Sequence, residues 1–184
     1  VALMINPTAT PYHNLILTGY IGVGKLNVVR LLARQAGVPF VDLDTEIQLR
    51  EGSSPDDIRQ LFGESRLRSI ENSLCREFSL QRGAVVSVNG PTLLDATNRE
   101  RLIDSGPVLV LTCALNEILR RLHASQGARF HDPKVRAAAL NVIRREQQVL
   151  RLEGLPTLDT TYLSIEQVAQ SALEFWFQQE TIAV

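Results

Sequence analysis

Short apolar runs alternate with amphipathic segments along the chain, and their spacing predicts a strand–helix alternation. Asn14-Leu-Ile-Leu-Thr18 is nearly continuous in apolar residues, as in a strand buried on both faces of a parallel sheet. After a Gly-rich turn, Val28, Leu31, Leu32 and Ala36 recur at helical spacing, and Gly37 with Pro39 stops that helix. Val38-Pro-Phe-Val-Asp42 reads as a second strand, residues 45–51 and 54–62 as short helices, and Leu67, Ile70, Leu74 and Phe78 as a long helix ending before Gly83. Ala84–Val88 and Val108–Thr112 are further buried strands, with a helix near 97–104 between them and one near 114–123 after them. Residues 124–135 read as a mobile loop. A helix near 136–150, a short strand near 157–160 and a last helix follow; Ser164 and Gln167 form a capping box, and Val168, Ala172 and Trp176 line one face. The alternation predicts an α/β fold, a parallel sheet flanked by helices, with ligands at the carboxyl ends of the strands.

Length and charge narrow the classes. With 184 residues, 45% of them apolar, one substantial core is available, and no linker or repeat divides it. Residues 1–12 read as a loose lead-in and 13–180 as a single domain. Nineteen basic residues against twenty acidic ones leave no excess to attract nucleic acid or an anionic membrane. No apolar run reaches the ~18 residues needed to span a bilayer and no signal-peptide layout opens the chain, so the expected location is the cytoplasm. Cys75 and Cys113 lie in apolar patterns and read as buried thiols. Lysine occurs only at Lys25 and Lys134, whereas arginine occurs 17 times. A chain that uses arginine almost everywhere has kept a compact ammonium at position 25.

Lys25 closes Gly19-Tyr-Ile-Gly-Val-Gly-Lys25, which fits G-x-x-x-x-G-K between a predicted strand and a predicted helix. Gly19, Gly22, Val23 and Gly24 would turn backbone amides toward phosphate oxygens while Lys25 reaches the β/γ-phosphates. The next residue breaks the pattern. Leu26 stands where a Ser or Thr hydroxyl would hold Mg2+, and leucine offers no oxygen.

Further along, Asp42-Leu-Asp44 closes the second strand. Two readings stand: two carboxylates directed alike beside the phosphate loop, or Asp44 as the cap of a helix starting at Thr45. Gly63-Glu-Ser-Arg-Leu-Arg-Ser-Ile-Glu71 places Arg68 and Glu71 three apart on one helix face, a spacing that also suits a solvated ion pair. Then come Val88-Asn-Gly-Pro91 and Asn98-Arg-Glu100.

In this order and separation, over roughly residues 14–175, these motifs resemble the shikimate kinase family. The resemblance implies a three-layer P-loop kinase fold with a five-stranded parallel sheet and a lid near 124–135. It implies ATP and Mg2+ as cofactors and a small anionic hydroxylated ligand as acceptor. It places Lys25 on the transferred phosphoryl group, Asp42 on the metal and Asp44 on the acceptor hydroxyls. Arg68 and Arg145 would hold the acceptor carboxylate, with Arg144 the alternative to Arg145. Gly90 would contact the acceptor, Arg129 the phosphates, and Arg121 the adenine. Departures accompany it: Asn89 and Pro91 replace two glycines of a triple-glycine turn, Phe130-His131 follows Arg129 where proline is usual, and Val149 replaces an aromatic. His131, with no matched partner, reads as chemically inert. Two functions follow: phosphoryl transfer from ATP to shikimate or a relative, weakened by Leu26, or a non-catalytic descendant that binds a nucleotide or small anion as a sensor.

Overall fold

The computed structural model describes residues 11–182. Up to residue 10, the expected lead-in lies outside the described residues. Among the described residues the sheet has five parallel strands, β1 (Leu15–Gly19), β2 (Phe40–Asp42), β3 (Val85–Ser87), β4 (Val108–Thr112) and β5 (Thr157–Asp159), in the order β2-β3-β1-β4-β5. β1 is central and buried along its whole length, which is why its sequence is continuous rather than alternating in apolar residues.

Alternate residues of the central strands feed two cores. Leu15 and Leu17 join Leu109, Leu111 and Trp176 on one face, while Ile16 joins Val86, Val108 and Val110 on the other. α1 (Lys25–Ala36), α7 (Leu115–Gln126), α8 (Pro133–Glu146) and α9 (Ile165–Ile182) cover the first face. α2 (Leu43–Glu51), α3 (Pro55–Phe62), α4 (Glu64–Leu80) and α6 (Ala96–Ser105) contribute to the second. Asn14, fully buried ahead of β1, meets its polar demand on the backbone: its amide donates to Phe78 O and Gln81 O, and its oxygen accepts from Ala84 N. The predicted capping box of the last helix forms, Gln167 N donating to Ser164 Oγ and Ser164 N to Gln167 Oε1.

Three local expectations change. The chain is not extended through Asp44, because Asp42 caps α2 by accepting from Thr45 N and helix begins at Leu43, placing Asp44 in its first turn. Residues 90–94 form a short helix, α5 (Gly90–Leu94), too brief to show a period. Most of the span read as a loop over 124–135 is helical: α7 runs to Gln126, a 3-10 turn covers Gly127–His131 around buried Phe130, and Asp132 caps α8 by accepting from Lys134 N.

Candidate active site

The phosphate-loop motif occupies the turn from β1 to α1. Gly22 and Gly24 sit at φ +87° and +85°, where a side chain is strained, and a Cβ on Gly22 would also strike Ile118. Gly24 is the N-cap of α1 and has no side chain to turn back on the helix, and no acidic residue lies in the first turn. The amide end of α1 is thus left to an anion from outside. Tyr20 anchors the loop, its hydroxyl donating to Cys113 O at 2.9 Å and accepting from Cys113 N at 2.8 Å. Glu146, at the end of α8, holds it from the other side, with Oε2 accepting from Ile21 N at 2.6 Å.

Lys25 Nζ donates to Val88 O at 2.8 Å and to Asn89 Oδ1 at 2.6 Å. Asn89 Nδ2 donates to Asp44 Oδ1 at 2.6 Å. Burial lowers the pKa of Lys25 against the pull of Asp44, Glu146 and Asp42. Burial also raises Asp44, although the Asn89 hydrogen bond and Lys25 oppose it. Asp42 ties β2, α2 and β3 together: Oδ1 accepts from Thr45 N and Oγ1, and Oδ2 from Ser87 Oγ.

A cavity of about 1310 Å3 runs from the phosphate loop past Lys25 and Asp44 to Arg59, Glu71 and Arg145. Arg145 lies on the wall, whereas Arg144 is exposed and does not. The buried Nε of Arg145 finds no hydrogen-bond partner among the described residues, and Nη2 makes only a long 3.9 Å contact to Asp56 Oδ1. Arg68 is not brought to the wall; it is exposed on α4. Arg59 reaches the cavity instead, held by Asp56 and by Glu64 at 2.7 Å. Glu71, one turn beyond Arg68, does line the cavity, and burial reinforced by the Asp44 charge pushes its carboxyl up to about 7.

At the far end Arg121 is engaged on every side. It donates to Glu117 Oε1 at 2.9 Å, to Thr160 O at 2.7 Å and, through a long contact, to Val23 O at 3.5 Å. Exposed Tyr162 shares that end of the cavity. Arg129 is exposed and off the cavity wall. Gly90 is buried, and the close approach it permits is to this chain's own backbone: a Cβ there would run into Glu146 O and Val149. Val149 is fully buried over that contact.

A family model described as shikimate kinase matches residues 21–176. The shikimate kinase of Geobacter sulfurreducens is 32% identical over 163 residues, covering 89% of this chain and 90% of that protein. The chain belongs to the shikimate kinase family. The relative from Geobacter metallireducens is also 32% identical, over 156 residues. Among solved structures, the shikimate kinase of Acinetobacter baumannii in complex with shikimate superposes with a TM-score of 0.76 at 24% identity, over 92% of this chain and 95% of that one. A gluconokinase from Sinorhizobium meliloti shares the fold at a TM-score of 0.61 and 18% identity.

Family membership implies ATP and Mg2+ in general, but the residues here do not fit an ion held directly by the loop. Leu26, on the cavity wall, has no oxygen, and Asp42 is not brought to that wall. Sequence reasoning missed Arg59 and Glu146. Arg59 enters the site only through the packing of α3 on α4, and Glu146 carries no signal beyond its place next to Arg145.

Proposed function

We propose that this chain binds ATP in the loop half of the cavity and shikimate or a related small hydroxylated acid in the other half, and moves the γ-phosphoryl group between them slowly. One observation carries the reading: a single cavity joins the open end of α1 and Lys25 to a wall bearing Asp44, Arg59 and Arg145. The helix end and Lys25 supply positive charge where phosphate oxygens would sit. Arg145, with a buried donor unused, is suited to an acceptor carboxylate, and Arg59 lies on the same wall. Asp44 orients the acceptor hydroxyl and takes its proton, a role that its raised pKa favours. Arg129 reaches the phosphates when the 127–131 turn moves toward the loop, and Arg68 adds positive charge outside the wall.

Leu26 favours a second reading, in which the site recognises nucleotide and acid without transfer. The test is ADP release from Mg-ATP with and without shikimate, with calorimetry of each ligand on the same protein. Shikimate-dependent release supports the first reading. Saturable binding without release supports the second, and no binding of either ligand removes both.

A further inference from the structure

Asn89 stands at the N-cap of α5, where an asparagine side chain ordinarily accepts from an amide of the first helical turn. It makes no such bond. Its carboxamide turns toward the cavity and sits between two opposite charges, with Oδ1 accepting from Lys25 Nζ and Nδ2 donating to Asp44 Oδ1, both at 2.6 Å. The two partners fix which way round the amide lies, since an ammonium only donates and a carboxylate only accepts. Among the described residues Lys25 makes no ion pair within 4.0 Å; its two hydrogen bonds go to Val88 O and Asn89.

We propose that Asn89 is a positioning residue that insulates Lys25 from Asp44. It keeps ammonium and carboxylate one amide apart, so that each meets a ligand as a separate group. Without the amide, two opposite charges in a poorly solvated site attract strongly enough to close on one another. A direct pair would commit the charge of Lys25 to Asp44 instead of phosphate, and one oxygen of Asp44 to Lys25 instead of an acceptor hydroxyl. The catalytic meaning of this separation rests on the phosphoryl-transfer reading above, whereas the separation itself does not. The orientation of the amide is the sign that carries this, since both of its ends are committed to the two charges.

The test uses the full chain without nucleotide. Because Lys25 and Lys134 are its only lysines, NMR of protein labelled at lysine Cε shows two signals, and Lys134→Arg assigns them. The other charges facing Lys25 are Asp42 and Glu146, and those facing Asp44 are Asp42, Asp56, Glu71 and Glu146; none of them is substituted in the series. In Asn89→Gly the Lys25 midpoint is expected to rise by about one unit or more as the direct pair forms. Asn89→Ser, which keeps a small polar side chain and ordinary backbone freedom at this position, is expected to show the same rise. Adding Asp44→Asn to either variant should abolish the rise. An unchanged Lys25 midpoint in Asn89→Ser overturns the proposal, as does a rise that persists without the Asp44 charge. Absence of ADP release would count against phosphoryl transfer and leave this result intact, so the two failures are distinguishable.

Discussion

Individual side chains decide how much chemistry the site retains. Leu26 removes the loop hydroxyl, and restoring it with Leu26→Ser is expected to raise shikimate-dependent ADP release on the order of 10²–10³-fold, the scale of one electrostatic stabiliser. Steady-state kinetics checks this. Unchanged turnover with normal Mg-ATP binding would place the main defect elsewhere. Arg145 presents the complementary case, because its buried Nε has no hydrogen-bond partner among the described residues. Arg145→Gln should weaken shikimate binding by about 10–100-fold in calorimetry while ADP binding holds, the loss appropriate to a charge-assisted contact. Glu71 predicts a pH effect on stability. Its carboxyl keeps its proton in the folded chain up to about 7, against 4.5 as the ordinary value. Between those values the folded state binds more proton, so stability falls as pH rises through the window, by up to about 1.4 kcal/mol per unit from this group. Urea unfolding of Glu71→Gln at pH 5 and pH 7.5 should show a smaller loss across the interval than the unsubstituted chain. An equal loss would assign the slope to other groups.

At the scale of elements, the sequence was most legible where one local rule governed a whole segment. The buried strands, the phosphate loop, α1 and α9 follow from period and punctuation alone, and so does the parallel sheet. Legibility failed where tertiary contacts chose between local options. Asp42-Leu-Asp44 reads equally as strand end or helix start, and the Asp42 cap together with its bond from Ser87 on β3 selects the helix. At Gly90 the end of α8 passes so close that a Cβ would strike Glu146 O, a contact that no local pattern shows. Arg59 gives no sign of reaching the site until α3 packs against α4. The Asp42 cap is itself testable: Asp42→Ala removes the bonds to Thr45 and Ser87 and should lower stability by about 1–2 kcal/mol, read from the urea midpoint. A loss near zero would mean that solvent replaces both partners.

Across the whole molecule, the sheet order places β1 between β3 and β4, so the loop leaving β1 meets side chains carried by both sides of the sheet. The end of α8 is where they converge. Arg145 lines the cavity, and Glu146, the next residue, holds Ile21 of the phosphate loop. The carbonyl of Glu146 also limits how closely the Asn89-Gly90 turn can approach. A ligand that draws Arg145 toward itself is therefore expected to act on the loop through one short backbone segment, and occupancy of the loop to act back on Arg145. Such coupling is reciprocal by linkage and is commonly about 5-fold or more in affinity. Calorimetry of shikimate with and without ADP, and of ADP with and without shikimate, should give one and the same factor in the unsubstituted chain. In Glu146→Ala, where the bond to Ile21 is lost, that factor should fall toward unity while each ligand still binds alone. Glu146→Gln, which keeps an acceptor for the Ile21 amide, should retain part of it. Full coupling in Glu146→Ala would show that the two halves communicate by another route.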